Sequence, residues 1–175
     1  SSTYTGLGAY YSTDLGETWL KATGVPDGGL GFALAVDPGN PLKVYAATQL
    51  GLFASTDGGK TYANVNLPTG ECSGVTDTHA RPECALANVV TDVVVSKGGG
   101  VGTSTKPGTV VATVGWRGGS KANPDGSVQS PSNGVYRSGS GAPNTFTKLG
   151  ASGFAAQDHI GRVELGNAVG ATQDH

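Results

Sequence analysis

The chain consists largely of short runs in which apolar and β-branched residues alternate with polar ones, and this pattern predicts β-strands. The clearest set begins with FALAV (32–36) and KVYAAT (43–48), which are separated by the turn sequence DPGNP (37–41). GLFAS (51–55) and TYANVN (61–66) follow as a third and a fourth strand. These residues predict one unit of four antiparallel strands.

The same order of strands returns later in the chain. VVTDVVV (89–95) and TVVATVG (109–115) predict the first two strands of a second unit, and NGVYRS (133–138) and FTKL (146–149) predict the last two. HIGRVEL (159–165) then predicts the first strand of a further unit. Four antiparallel strands per repeat are typical of a β-propeller blade, so the pattern predicts an all-β fold built from such blades.

The chain also repeats in sequence. Residues 8–23 (GAYYSTDLGETWLKAT) and 51–66 (GLFASTDGGKTYANVN) share a Ser-Thr-Asp-x-Gly-x-Thr-aromatic pattern, and their serines are 43 positions apart. This spacing is within the range of one propeller blade. A weaker copy begins at Gly134 and has Ser140 where the Asp is expected.

Composition narrows the class of protein. Thirty of the 175 residues are Gly and nine are Pro, and the formal charge is −2, without a basic run. Gly and Pro on this scale do not suit a helical bundle, and a near-neutral chain has no electrostatic reason to bind nucleic acid or an anionic membrane. No apolar stretch is long enough to span a bilayer. Because the chain has no Met, we expect that residue 1 is not the translational start.

The two cysteines, Cys72 and Cys84, are twelve positions apart in a stretch rich in turn-forming residues. With the neighbouring His79 they would supply only three zinc ligands, which makes a poor closed site. A disulfide is the simpler interpretation, free thiols being the alternative, and it favours an oxidising compartment. We therefore expect a secreted protein without a metal ion or other cofactor.

The repeated Ser-x-Asp-x-Gly-x-Thr-aromatic pattern resembles the Asp-box (BNR) repeat. The larger string ALAVDPGNPLKVYAATQLGLFASTDGGKTY resembles blades of sialidase-like and of glycoside hydrolase family 74-like (xyloglucanase-like) propellers, and sortilin-type receptors carry the same repeat. The box residues are Ser12, Asp14, Gly16, Thr18 and Trp19 in one copy and Ser55, Asp57, Gly59, Thr61 and Tyr62 in the other. The repeat occurs in hydrolases, lectins and receptors alike, so it indicates fold more than function.

The resemblance implies that each box is a structural turn between the third and fourth strands of a blade. Asp14 and Asp57 would accept hydrogen bonds from turn amides, and the box glycines would adopt positive φ. Trp19 and Tyr62 would pack between blades. A calcium loop at Asp57 is the alternative, but such a turn needs no metal ion.

The boundaries of the predicted units leave the propeller incomplete. We expect all 175 residues to belong to one domain, in which 1–27 end a blade, 28–67 form a blade and 68–87 form the disulfide loop. Residues 88–149 would form a blade with insertions, and 150–175 would begin the next. About two and a half blades result, whereas closed propellers have four to eight. The expected partner is the remainder of the same propeller, missing, cleaved or on another chain; a ring of several copies is the alternative.

Two long connections are expected to share one face of the propeller, where the resemblance places ligands. They are the disulfide loop and residues 116–132, a four-to-one and a two-to-three connection, whereas the one-to-two insertion 96–108 belongs on the opposite face. An exposed Trp beside an Arg suits a sugar; the alternative is that Trp116 covers the top of the blade and Arg117 is solvated. The candidate ligand-binding residues are Asp77, His79, Arg81, Trp116, Arg117 and His159.

Catalytic residues are harder to assign. Asp92 and Arg162 align on successive innermost strands, so we expect them to form an ion pair between blades, with a catalytic carboxylate as the alternative. Asp92 and Asp158 are the weak catalytic candidates, because glycosidases need two carboxyl groups. Family 74-like enzymes carry an Asp where this chain has Gln49. We therefore expect either part of a secreted, glycoside hydrolase-like propeller that acts on or binds a polysaccharide, or a non-catalytic extracellular propeller that binds protein or glycan.

Overall fold

The computed structural model describes residues 6–69, 89–97, 108–115, 132–150 and 161–166, and every regular element within these ranges is a β-strand. The strands are β1 (Tyr10–Tyr11), β2 (Leu20–Lys21), β3 (Gly31–Asp37), β4 (Asn40–Thr48), β5 (Gly51–Ser55), β6 (Ala63–Asn64), β7 (Val89–Val95), β8 (Val110–Gly115), β9 (Gly134–Ser138) and β10 (Thr147–Lys148). No helix in these described ranges is long and apolar enough to cross a membrane.

The strands form three sheets in which every neighbouring pair is antiparallel. β3, β4, β5 and β6 pair in chain order, as do β7, β8, β9 and β10, while β1 pairs with β2. We call these sheets the second blade, the third blade and the first blade, respectively. The predicted all-β fold with four-stranded antiparallel blades is thereby confirmed.

The turn between the first two strands of the second blade is tighter than the sequence predicts. Residues 37–41 were expected to be a turn, but Asp37 pairs with Asn40 around Pro38 and Gly39. A register shift follows, so that residues 41–43 of β4 have no partner on β3 before Val44 pairs with Val36. The Asp37 carboxylate accepts a hydrogen bond from the Gly39 amide at 2.8 Å, and this bond closes the turn. The strands can therefore continue to the ends of the turn.

Residues 161–166 form no strand, although HIGRVEL predicted one. An innermost strand gains its ladder only by pairing with the second strand of its own blade, and the described residues contain no such partner for this segment. Instead the segment lies against the third blade. The Val163 carbonyl accepts a hydrogen bond from the Thr91 hydroxyl at 3.1 Å, and the Leu165 amide donates to the Asp92 carboxylate at 2.6 Å.

The hydrophobic core lies between the second and third blades. Alternation along each strand sends every second side chain to this interface. The buried core residues are Tyr45, Ala47, Leu52, Val65 and Leu67 from the second blade and its exit, and Val90, Val93, Val95, Val110, Ala112, Val114 and Tyr136 from the third. One face of the second blade is thus packed against one face of the third blade, and this packing fixes the two sheets relative to each other.

Candidate functional site

The turn of the first blade that carries the Ser-x-Asp-x-Gly-x-Thr pattern, here called its box, is held together by the side chains of Ser12 and Asp14. The Asp14 carboxylate accepts hydrogen bonds from the Ser12 hydroxyl at 2.7 Å and from the Thr18 amide at 2.9 Å and hydroxyl at 2.5 Å. The Ser12 hydroxyl oxygen accepts the Gly16 amide at 2.8 Å. The Asp14 carboxylate and the Ser12 hydroxyl thus accept amides of their own turn.

The box of the second blade repeats this arrangement 43 residues later. Asp57 accepts the Ser55 hydroxyl at 2.8 Å, the Lys60 amide at 3.0 Å and the Thr61 amide at 2.9 Å and hydroxyl at 2.7 Å. Ser55 accepts the Gly59 amide at 2.9 Å. The two boxes are therefore the same structural unit.

Hydrogen bonds stabilise the charged form of both box carboxylates. The Thr18 hydroxyl and amide, together with the Ser12 hydroxyl, lower the pKa of Asp14 to about 2. The amide and hydroxyl of Thr61, followed by the Ser55 hydroxyl, hold the pKa of Asp57 even further below its ordinary range. Neither side chain is poised to exchange protons near neutral pH, so the boxes do not provide acid–base catalysts.

The boxes differ at the residue that follows the aspartate. Leu15 has φ of 61° and is fully exposed, whereas Gly58 holds the corresponding left-handed conformation with φ of 77°. A leucine side chain is strained in this region and a glycine is not. The first box therefore carries local strain that the second box avoids.

The third copy retains the serine of the box but replaces its carboxylate. Ser138 accepts the Gly141 amide at 2.8 Å and shares a hydrogen bond of 2.5 Å with Thr145. At the expected Asp position, the Ser140 hydroxyl donates to Thr145 at 3.3 Å. The side chains that hold this turn are thus hydroxyl groups, and a backbone bond from the Thr145 amide to the Ala142 carbonyl at 3.3 Å adds to them.

The aromatic residues that end the first two boxes have different surroundings. Tyr62 is half-buried, and its amide donates to the Thr23 carbonyl of the first blade at 2.9 Å. Trp19 remains 62% exposed and folds back on its own box, where its indole N–H donates to the Gly16 carbonyl at 3.1 Å. The prediction that Trp19 packs between blades is wrong for the described structure, because its indole contacts its own turn and remains largely exposed.

The ends of the third blade decide where its long connections emerge. Val89 pairs with Gly115, so the chain enters β7 and leaves β8 at adjacent positions. Gly134 pairs with Val114 and returns the second connection to the same end. We call this end of the blade the loop end.

The Asp boxes lie at the opposite end of the blades. Val95 pairs with Val110 there, and Val110 pairs with Ser138, the first residue of the third box copy. The one-to-two connection also leaves from this end, where the Ser96 amide donates to the Thr109 carbonyl at 2.9 Å. The division of connections between two faces follows directly from this register.

The described segment that follows the third blade, residues 161–166, lies alongside β7. Val163 contacts Thr91 and Leu165 contacts Asp92, so residues 161–166 run in the same direction as β7. Residue 161, where this described segment begins, therefore lies towards the loop end of the third blade.

Most candidate ligand-binding and catalytic residues lie outside the described residues. In sequence, Trp116 and Arg117 directly follow Gly115, and His159 precedes the segment at 161–166. The candidates outside the described ranges are Asp77, His79, Arg81, Trp116, Arg117, Asp158 and His159, together with the proposed disulfide partners Cys72 and Cys84.

Asp92 is described, and its surroundings favour a structural role. One carboxylate oxygen accepts the Val93 amide at 2.8 Å and the other accepts the Leu165 amide at 2.6 Å. The expected ion pair with Arg162 is wrong, because the Arg162 guanidinium lies 3.0 Å from Glu164 instead. The Leu165 backbone amide binds the Asp92 carboxylate, which the Arg162 guanidinium was expected to bind.

Two buried threonines beside Asp92 were missed by sequence reasoning. Thr91 and Thr113 share a hydrogen bond of 2.8 Å, and both hydroxyls lie within reach of the Val163 carbonyl. The signal was present, since each Thr interrupts a run of valines in its strand. Buried hydroxyl groups need partners, and the neighbouring segment supplies one.

Two further carboxylates among the described residues also have structural partners. Asp27 binds the Lys21 ammonium at 2.7 Å and Asp37 closes the β3–β4 turn. Across the described ranges, no group of three His, Cys, Asp or Glu side chains could hold a metal ion.

Comparisons with known proteins give weak structural likenesses. No protein-family profile matches the chain, and no curated protein matches it. The chain is similar to a crystal structure of an ancestral GH74 enzyme, with 22% identity and a TM-score of 0.39, over 83% of this chain and 21% of that chain. It is also similar to the GH74 xyloglucanase from Xanthomonas campestris, with 16% identity and a TM-score of 0.32, over 89% of this chain and 23% of that chain.

The chain thus spans less than a quarter of the length of either GH74 structure. The assignment to an all-β class with propeller-type blades rests on the strand order and register described above.

Proposed function

We propose that this chain is part of a secreted, glycoside hydrolase-like β-propeller that binds or acts on a polysaccharide at its loop end. The observation that carries the proposal is the pairing of Val89 with Gly115, which anchors the two longest connections at one end of a rigid sheet. Long connections on a rigid scaffold are where binding groups concentrate.

The residue types that follow Gly115 in the sequence are suited to binding a carbohydrate. Trp116 and Arg117 follow Gly115 in the sequence. An indole face packs on the C–H groups of a sugar ring, and a guanidinium donates to hydroxyl or carboxylate oxygens. Asp77, His79 and Arg81 belong to the neighbouring connection and could add polar contacts.

A non-catalytic binding role is the second candidate, and Asp92 favours it. Both of its carboxylate oxygens accept backbone amides, which is the pattern of a structural aspartate. A hydrolase would then draw its pair of carboxyl groups from residues such as Asp77 and Asp158 or from other blades. The first candidate therefore requires catalytic groups beyond the box and core residues.

The test measures binding and hydrolysis on one panel of polysaccharides that includes xyloglucan, xylan, cellulose and a sialylated glycan. Binding is followed by affinity electrophoresis and hydrolysis by release of reducing sugar. We expect Trp116→Ala and Arg117→Ala each to weaken binding about tenfold, the loss of one good contact. Lys97→Ala, at the exposed opposite end, is the matched control and should bind like the parent.

The outcomes separate the two candidates. Binding with release of reducing ends supports the hydrolase, and binding without release supports the non-catalytic binder. If no glycan binds, or if Lys97→Ala weakens binding as much as Trp116→Ala does, the loop-end proposal is wrong.

A disulfide between Cys72 and Cys84 would support the secreted location. Thiol titration of the denatured, unreduced protein is expected to find no free thiol, because an oxidising compartment preserves such a bond. Two titratable thiols would contradict this part of the proposal.

A further inference from the structure

Residues of the second and third blades can be matched one by one from the pairing registers of their strands. Val44 pairs with Ser55 and Val110 pairs with Ser138, and both serines begin a box. Following the ladders inward from these pairs makes Val36 of β3 equivalent to Val95 of β7. By the same register Leu34 is equivalent to Val93.

These equivalent side chains differ sharply in burial. Val93 and Val95 are 3% and 5% exposed, because they pack against the second blade in the core. Leu34 and Val36 are 71% and 52% exposed. Apolar side chains at the same positions of the repeat are therefore covered in one blade and left in water in the other.

The first blade explains the difference. The strands of the second blade that cover β7 include its innermost two, β3 and β4. In the described residues the first blade has only β1 and β2, which match the third and fourth strands of the later blades. The strands that would cover Leu34 and Val36 are the two that the first blade lacks.

The edge of β1 that faces away from β2 leads to the same conclusion. β5 and β9, the third strands of the later blades, each pair with a strand on both sides. Within the described ranges β1 pairs with β2 alone. One side of β1 is thus available to a further strand, and an open edge of this kind is a template for pairing.

We propose that the surface formed by Leu34, Val36 and the outer edge of β1 binds a two-stranded β-hairpin that completes the first blade. Its second strand pairs with β1, and its small and apolar side chains cover Leu34 and Val36. The hairpin comes from polypeptide outside the described residues and resembles β3–β4, whose Ala33, Ala35 and Tyr45 face the third blade in the same way. This inference is independent of any activity on polysaccharides.

The hairpin that the chain already contains serves as the probe. Residues 28–48 are joined directly to residue 6, because the 43-residue offset makes residue 6 equivalent to residue 49. In this graft the added copies of Leu34 and Val36 are changed to Thr, so that the new outer face is polar. In the chain's own β3, Leu34 is changed to Cys, and the rate at which this cysteine reacts with a maleimide reports how exposed it is. The labelled residue is located by peptide mass analysis.

We expect the graft to slow labelling at residue 34 at least tenfold relative to the ungrafted chain with the same Leu34→Cys change. The control graft carries Tyr45→Asp and Ala47→Asp in the added copy, which place charges on the docking face, and should label as fast as the ungrafted chain. A synthetic peptide of residues 28–48, added at millimolar concentration, provides a second measurement if the graft does not fold, and it should also slow labelling.

Three results would overturn the proposal. The first is unchanged labelling with both the graft and the peptide. The second is equal protection by the graft and its charged control. The third is protection of residue 34 in the ungrafted chain that rises with protein concentration, accompanied by a dimer in light scattering, since the occupant would then be a second copy.

Discussion

The carboxylates of Asp14 and Asp57 lie at the protein surface and still accept several hydrogen bonds from their own turns. The pKa of Asp14 is lowered from 3.8 to about 2, and that of Asp57 lies lower still, in both cases through the Thr and Ser groups of the box. Their negative charge is therefore part of the folded turn.

These pKa shifts predict a loss of stability in acid. A carboxyl group whose pKa is lower in the folded state stabilises the protein above its unfolded pKa, near 4, and loses this contribution as the pH falls through the folded pKa. We expect the melting temperature to fall between pH 4 and pH 2. Asp57→Asn should flatten this part of the profile, measured by circular dichroism at a series of pH values.

Glu17→Gln is the matched control, because it removes one negative charge from the exposed first box without touching the bonds of Asp14. Its acid profile should follow that of the parent. Parallel profiles for Asp57→Asn and the parent would contradict a contribution from the box carboxylate.

The backbone of Leu15 is strained, and the free energy of this strain can be measured. Its φ of 61° lies where leucine is disfavoured by about 1 to 2 kcal/mol, and its side chain is fully exposed. Leu15→Gly should raise the free energy of unfolding by about 1 kcal/mol, reduced somewhat by the greater freedom of glycine in the unfolded chain. Urea unfolding measures the change.

Gly58→Ala provides the opposite substitution at the equivalent position. It should lower the free energy of unfolding by about 1 kcal/mol, because alanine enters the same left-handed region. If both variants changed stability in the same direction, backbone strain would not be the cause.

At the scale of the strands, burial at the blade interface separates side chains that look alike in sequence. Leu52 is fully buried in the core between the second and third blades, whereas Leu34 is mostly exposed. Leu52→Ala should destabilise the chain by about 2 to 5 kcal/mol through lost burial and a cavity. Leu34→Ala should change stability by at most about 0.5 kcal/mol, as measured by urea unfolding of the same chain.

A cost of Leu34→Ala as large as that of Leu52→Ala would show that the face of β3 is already covered in solution. That result would also agree with the second-copy outcome described for this surface.

The strand positions were largely predictable because alternation and β-branched residues mark them directly. β7 was predicted at its observed bounds, and β3 and β8 within one residue at each end. The start of β4 was missed by three residues, because the Asp37 carboxylate closes the turn and lets the ladder continue through a sequence that resembles a longer loop.

At the scale of the whole molecule, Asp92 connects the third blade to the segment at 161–166. Asp92→Ala removes the acceptor of the Leu165 amide, a charge-assisted bond of the kind that contributes about 1.5 to 3 kcal/mol. Hydrogen exchange at Leu165 should accelerate about tenfold or more, measured by NMR or by mass spectrometry of fragments.

Arg162→Ala is the control, since Arg162 contacts Glu164 and not Asp92. It should leave exchange at Leu165 unchanged. If Asp92→Ala left exchange unchanged but abolished sugar release by a folded protein, Asp92 would be catalytic and the structural interpretation would be wrong.

The candidate site was only partly predictable. The Asp-box contacts could be predicted from the sequence because they join residues two to four positions apart, within a single turn. Partners such as Asp92 and Leu165, or Thr91 and Val163, are more than 70 positions apart, so no local pattern indicates them. The wrong pairing of Asp92 with Arg162 arose for this reason.

The sequence by itself determined the β-strands, the order of strands within each blade and the turns of the boxes, because alternation, Gly placement and short-range hydrogen bonds act over a few residues. Only the tertiary structure decided which apolar side chains are buried and which remain in water. Trp19 and Leu34 are exposed, whereas their equivalents in other blades are half-buried in the case of Tyr62 and buried in the case of Val93. Burial depends on the neighbouring blade, and a residue's own sequence does not specify whether that neighbour is present.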